Sequence, residues 1–352
     1  MKTIDLHSHV VPRNLIDAML KVPDRFDAKG RLGNGVKTVE RDGTPYFENN
    51  GRLSPIDIEL YDVDAKLDAM DRMRVEVSAL SVAPPTYFYY LPAEAGLHAS
   101  RLSNDGIAQM VAKKPDRLRG MATLPMQDPD AAIIELERVV KEYGFRAVEL
   151  GTSIEGEQLA HAKFRKVLKT IEQLGCFIFA HPYTCTAKGG MEGYEFFNTI
   201  GFPLDEVIMA AHLMFSGALD ELAGLRILVA HGGGYIPYQI GRFDCAHRNR
   251  ASARANTQTS PRELLRRFYF DALTHDPHSL RLLIDQVGAE HIAIGTDNPF
   301  DMGYQDPLGE LEKVANLTTH ETEWVRFRTA MSLLGEDDAT DGERGLHALS
   351  AG

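Results

Sequence analysis

Eight short β-rich runs, each followed by a helical stretch, constrain this chain more than any other feature of its sequence. The runs fall at 3–9, 75–82, 119–124, 147–150, 176–180, 225–230, 268–273 and 292–295. Such alternation implies parallel β-α units, and closing eight of them into a TIM-type (β/α)8 barrel buries every strand without leaving a sheet edge. A doubly wound open sheet has the same rhythm. The barrel is preferred because chemically suggestive residues end several strands: His7 and His9 after the first, His181 after the fifth, His231 after the sixth, His275 after the seventh and Asp297 after the eighth. In a barrel those ends converge on one mouth, whereas an open sheet would string them out in a line.

The first strand is the most specific of these signals. Side chains alternate along a strand, so His7 and His9 leave the same side with Cβ atoms ~7 Å apart, close enough to share one ion. Neutral imidazole is a common ligand for zinc and its neighbours. Many His-x-His triplets bind nothing, and the weight of this one comes from its partners downstream. His181, in Phe179-Ala180-His181-Pro182, and Asp297, in Gly295-Thr296-Asp297-Asn298, complete a mixed nitrogen and oxygen set. That set suits Zn2+, with Mn2+ or iron as alternatives, and leaves one position for water or substrate. His231 is followed by Gly232, Gly233 and Gly234, which admit a close approach by backbone or substrate. It is assigned to proton transfer rather than ligation.

Composition sets the remaining bounds. The 352 residues exceed the roughly 250–300 at which a single core usually stops growing, but barrels reach this length as one domain, here 1–335. Thirty-eight Lys and Arg against 50 Asp and Glu give a net charge of −12, which argues against a nucleic-acid footprint and requires local arginines if the substrate is an anion. No apolar run approaches the ~18 residues of a membrane span. The N-terminal sequence lacks a secretory pattern, so a cytoplasmic location is expected. Cys176, Cys185 and Cys245 are odd in number and widely spaced, as reduced thiols would be.

Residues 10–54 are turn-rich and read as a loop insertion with a small hairpin, placed to serve as a lid or binding wall. Ser54-Pro55 reads as a cap and first-turn proline opening a helix. Further helices are expected at 92–113, 158–174, 204–223 and 277–287, with an additional one at 319–334 capped by Thr319 and covering the barrel bottom or side. The 336–352 tail is expected to fray.

Five segments carry a family resemblance: Asp5-Leu6-His7-Ser8-His9, Phe179-Ala180-His181-Pro182, Ala230-His231-Gly232-Gly233-Gly234, Phe270-Asp271-Ala272-Leu273-Thr274-His275 and Gly295-Thr296-Asp297-Asn298-Pro299-Phe300. In order and spacing the chain resembles the amidohydrolase-related metal-dependent decarboxylases, in particular the aminocarboxymuconate-semialdehyde decarboxylase branch. The resemblance implies a metal set of His7, His9, His181 and Asp297, with His231 activating a water or moving the proton. It also implies a homodimer in which an arginine reaches the neighbour's site, a place that falls on Arg242 with Arg250 nearby, and a substrate-carboxylate arginine at Arg52. Hydrolytic relatives bridge two metals through a carboxylated lysine at the end of the fourth strand. This strand ends Val148-Glu149-Leu150-Gly151 without one, so a single metal is expected.

The implied reaction is decarboxylation of an unsaturated or aromatic acid, with His231 or a protonated Asp297 as the acid. A metal-dependent hydrolase or hydratase on the same barrel would use the same ligands.

Overall fold

In the computed structural model, residues 2–27, 35–49, 52–187 and 189–336 are described, the side chains of Asn49 and Arg52 excepted. Eight parallel strands form one sheet: β1 (Ile4–Val10), β2 (Val77–Val82), β3 (Leu118–Thr123), β4 (Ala147–Gly151), β5 (Phe177–His181), β6 (Arg226–Val229), β7 (Phe268–Asp271) and β8 (Ile292–Ala293). Their spatial order is their sequence order. The ring closes where Leu6 N donates to Ile294 O at 3.0 Å and Asp5 bridges Ile294 in parallel. The barrel reading therefore holds over the open sheet.

The strands are buried on both faces. Outward residues such as Leu80, Val82, Ile178 and Val229 pack under the helices, while Val77, Ala79, Phe177, Phe179 and Leu228 fill the interior at the N-terminal end. Amphipathic helices cover the outside: Arg165–Gln173, for example, turns Val167, Leu168 and Ile171 inward. The final helical segment begins after Thr318, whose side chain forms a capping box with Glu321, so the cap lies one residue before the expected Thr319. Ala330, Met331, Leu333 and Leu334 from this segment join the interior cluster, sealing the barrel bottom.

One irregularity decides where the site is built. The pairing of β1 with β2 runs Ile4 to Val77 and Asp5 to Ser78, then Ser8 to Leu80 and His9 to Ser81, so β1 carries one extra residue between Asp5 and Ser8. Ile4 and Leu6 belong to the interior cluster, and beyond the bulge His7 and His9 also face inward.

Three expectations are corrected. The insertion after β1 holds a helix, Arg13–Lys21, as well as an antiparallel sheet of Lys37–Arg41, Thr44–Asn49 and Arg52–Pro55. Ser54-Pro55 ends that sheet rather than opening a helix; the helix starts at Val63, where Asp62 accepts from Ala65 N at 2.9 Å. The expected 204–223 helix is two, Phe202–Phe215 and Ala218–Glu221. The expected tail, from 337 onward, lies outside the described residues.

Candidate metal centre and active site

The three imidazoles of the mouth are held by the same device. His7 Nδ1 donates to Asp271 Oδ2 at 2.6 Å, His9 Nδ1 to the Val82 carbonyl at 3.1 Å, and His181 Nδ1 to the Pro182 carbonyl at 2.7 Å. Each acceptor can only accept, so each Nδ1 carries the proton and each Nε2 is left with its lone pair outward. Those lone pairs converge. His7 Nε2 and His9 Nε2 are 3.1 Å apart, and they lie 3.3 and 3.2 Å from Asp297 Oδ1. His181 Nε2 and Asp297 Oδ1 are buried without a hydrogen-bond partner. Donor atoms from all four residues lie within 4.8 Å of one another.

Four acceptors crowded together need a cation between them. Ligands at ~2.0–2.1 Å in a tetrahedron sit about 3.3 Å from each other, which matches the three closest separations. Electrostatics divide the set. Burial holds His9 below the usual imidazole range and His181 well below it, so both are neutral donors. Burial opposes charge on His7 too, yet Asp297 and Asp271 raise it to about 9, so its Nε2 carries a proton toward Asp297 that a bound cation would displace. Against burial, the charge of His7 and the nearby His231 hold Asp297 well below the usual carboxylate range.

The framework under these residues is equally specific. Asp5 accepts from His7 N, from Thr296 N and from Thr296 Oγ1, at 2.9, 3.1 and 2.7 Å, tying β1 to the segment after β8. Gly295 is required there: a Cβ would sit 2.7 Å from Asp271 Cβ and 2.9 Å from His7 Cβ. Asp297 and His231 both adopt left-handed backbone conformations, φ 57° and 50°, a strain of the kind that clusters at functional sites.

Opposite the cluster stands His231. Its Nδ1 is 2.5 Å from Glu206 Oε1, and its Nε2 is 3.9 Å from Asp297 Oδ2. Burial works against its charge, but Glu206 and Asp297 raise it well above the ordinary value. Burial raises Glu206 itself to about 7, against the pull of His231. The three glycines after His231 serve the protein rather than the substrate. None of them lines the cavity, and a Cβ on Gly234, at φ 60°, would meet the Pro203 carbonyl at 2.3 Å.

A cavity of about 610 Å3 opens onto His181, His231 and Asp297. Its walls are aromatic, including Phe88, Tyr90, Tyr183, Phe197, Phe202 and Phe300. Trp324 is remote from it, packed against the outer core.

The amidohydrolase family profile matches residues 4–335. The chain belongs to the amidohydrolase family. Among its relatives, the 2-amino-3-carboxymuconate-6-semialdehyde decarboxylase of Dictyostelium discoideum is 28% identical over 338 residues, covering 95% of this chain and 92% of the relative. The gamma-resorcylate decarboxylase of Rhodococcus jostii is 31% identical over 277 residues, covering 74% and 82%. The crystal structure of 5-carboxyvanillate decarboxylase from Sphingomonas paucimobilis shares the fold with a TM-score of 0.80 at 23% identity, over 95% of this chain and 99% of that one. Dihydroxybenzoic acid decarboxylase from Polaromonas, solved with manganese and 2-nitroresorcinol, gives 0.75 at 23% identity, over 96% and 98%.

Within this family frame, sequence reasoning brought together His7, His9, His181, Asp297 and His231. His275 is half-buried beside Tyr304, whose hydroxyl accepts from its backbone N at 2.7 Å, and it is in neither the cluster nor the cavity wall. Arg242 and Arg250 are exposed and do not line this chain's cavity. The Arg52 side chain lies outside the described residues. At the end of β4, Glu149 is buried 3.6 Å from His9 Nδ1, and burial raises its carboxyl to about 8. The sequence reading missed Asp271 as the orienter of His7, although it sits in a quoted strand-end segment, and it missed Glu206 entirely.

Proposed function

We propose that this chain is a metal-dependent, non-oxidative decarboxylase, a carboxy-lyase acting on an aromatic carboxylic acid. The observation that carries the reading is His231, paired through Nδ1 with the buried Glu206 carboxylate at 2.5 Å and facing the four-donor cluster across one cavity. Hydrolysis asks for a base opposite the ion; here the Glu206 carboxylate keeps His231 cationic and aims its Nε2 inward, which makes it an acid.

His7, His9, His181 and Asp297 are the ligands of one divalent ion. Zn2+ is the assignment favoured by three imidazoles, and Mn2+, present in the Polaromonas structure, is the alternative that metal analysis of purified protein decides. Such an ion would supply Lewis-acid polarisation of the bound acid. The protein does the rest. His231 Nε2 delivers its proton to the ring carbon that bears the carboxylate. The carbon–carbon bond then breaks, its electron pair returns to the ring, and carbon dioxide leaves. His231 regains a proton from solvent, so the net reaction consumes one proton for each carboxylate lost. Asp297, whose Oδ1 lies 3.3 and 3.2 Å from His7 Nε2 and His9 Nε2, is assigned as a ligand, and His231 as the proton source.

The aromatic walls favour a flat ring over a flexible chain. No Lys or Arg is among the described residues that line the cavity, although the substrate is an anion. The cation is assigned to Arg52 and to Arg242 of a second copy, in a homodimer, with Arg250 beside it. Mixing Arg242→Ala chains with His7→Ala chains then restores activity in hybrids confirmed by mass spectrometry, because one site is complete; confirmed hybrids without activity would end the shared-site assignment.

The reaction is tested by incubating metal-loaded protein with a panel of hydroxybenzoic acids in D2O. One carbon dioxide per turnover and one deuterium on the vacated carbon are expected. Addition of water or hydrolysis without carbon dioxide would replace the decarboxylase with a hydratase or hydrolase.

A further inference from the structure

Lys66 sits on the helix Val63–Arg72 with its side chain completely buried. Its ammonium donates to Asn298 Oδ1 at 2.6 Å, to the His9 carbonyl at 3.0 Å, to Ser8 Oγ at 3.2 Å and, more weakly, to the Asn298 carbonyl at 3.4 Å. All four acceptors are uncharged. Burying an ammonium is costly, and an apolar side chain of similar size would pack this helix on the barrel at less expense.

What the lysine supplies is position. Its acceptors come from the two ends of the barrel sequence, Ser8 and His9 on β1 and Asn298 after β8. These residues alternate with or adjoin the proposed ligands, His7 and His9 on one side and Asp297 on the other. The seam between them is otherwise held by His9 N to Asn298 O at 2.9 Å and Asp297 N to His7 O at 2.8 Å. From the opposite face Asp5 takes both hydrogen-bonding groups of Thr296. Asn298 is fixed in turn, because its Nδ2 donates to Glu59 Oε2 at 2.9 Å. Drawing several lone pairs together is repulsive, so the framework must hold the Asp297 segment against β1.

We infer that Lys66 is a positioning residue, an ammonium clamp that locks the Asp297 segment in register with His7 and His9 and so sets the donor atoms before an ion arrives. The inference rests on the metal site of the proposed function and deepens it. Outer partners of this kind typically govern metal affinity by ten- to a hundredfold.

Co2+ is the probe. Chelator-stripped wild type, Lys66→Met and Lys66→Arg are titrated with Co2+ against a chromophoric competitor, with the visible d–d bands and the melting midpoint of each metal-free form recorded. Lys66→Met should bind Co2+ about ten- to a hundredfold more weakly, with altered d–d bands, while its metal-free melting midpoint holds or rises. That split is not what a merely structural lysine gives. Lys66→Arg, which keeps the charge and the donors, should recover part of the affinity. Wild-type affinity and bands in Lys66→Met would overturn the inference. If Lys66→Met does not fold, Asn298→Ala, which keeps the lysine and removes its shortest contact, decides: a severalfold loss supports the clamp and unchanged affinity overturns it. Wild type that takes up no Co2+ would instead remove the metal site on which the inference rests.

Discussion

The two ends of this barrel are made from the same strands and obey opposite rules. At the bottom, Ile4 and Leu6 of β1 share an apolar cluster with Phe177 of β5 under the cover of Met331 and Leu334, and Phe179 forms its upper boundary, 4.8 Å from the His7 ring. One turn of sequence further, His7 and His9 meet His181 and Asp297. The bottom is held by apolar contact, which tolerates small shifts; the top is held by directed hydrogen bonds on buried ionisable groups, which do not. A single extra residue in β1 makes the change, because it lets apolar and metal-binding side chains of one strand point into one interior.

If the ends are separable in this way, the largest effect follows from deleting a donor. His7→Ala and Asp297→Ala should each reduce bound metal from about one ion per chain to near none and abolish turnover, while leaving a folded barrel, since each removes a direct bond from a site with few. Elemental analysis checks this, and two tightly held ions in wild type would break the one-ion assignment.

Replacing the proton carrier should cost less. His231→Asn is expected to keep the metal and lower kcat by ~10²–10⁴-fold. The pH profile carries a sign. His231 is held above its ordinary 6.5 by Glu206 and Asp297, although burial opposes it, so its charged form persists through neutrality. Turnover should hold through neutral pH and decline as pH rises through the raised value of His231. A rate that climbs steadily with pH would mark His231 as a base.

The opposite end makes the reciprocal case. Phe177→Ala opens a hole in the interior apolar cluster that also holds Ile4, Leu6 and Met331, and should cost about 3–5 kcal/mol in denaturant unfolding. Metal content and kcat should stay within about threefold of wild type. Loss of the ion in this variant would show that top and bottom are one cooperative unit.

Much of this division was legible in the sequence, and the parts that were not have a physical reason. Strand ends could be read because the residue types found there, His and Asp beside small residues, seldom end a strand for packing alone. The bulge could not. Thr3 to His7 alternates polar and apolar, and the same period carried on to His9 would send the histidines away from the face of Ile4 and Leu6; only the pairing with β2 shows the inserted residue. Glu206 was invisible because nothing in the sequence separates a buried carboxylate from the solvated ones that dominate helix surfaces. Ser54-Pro55 misled because a proline without an N–H suits a sheet edge as well as a first helical turn.

The smallest expected effect lies in the helical segment that seals the bottom, where charges are near solvent. Glu321 accepts from Arg281 Nη2, Thr318 N and Thr318 Oγ1, each at 2.8 Å, with about a fifth of its side chain exposed. The Arg281 hydrogen bond, against a smaller burial cost and with the Thr318 bonds, lowers its carboxyl from 4.5 to about 2. A depressed value means stability present above about 4.5 and lost as pH falls toward about 2. Glu321→Gln keeps the shape and removes the charge, so it should destabilise the protein by about 1 kcal/mol at neutral pH, the scale of a helix cap and a screened ion pair. The gap in melting midpoint between the two proteins should narrow as pH drops from 6 toward 3.5, while metal affinity stays the same in both. A gap that ignores pH would assign Glu321 to packing, and altered metal affinity would show that the bottom seal reaches the mouth.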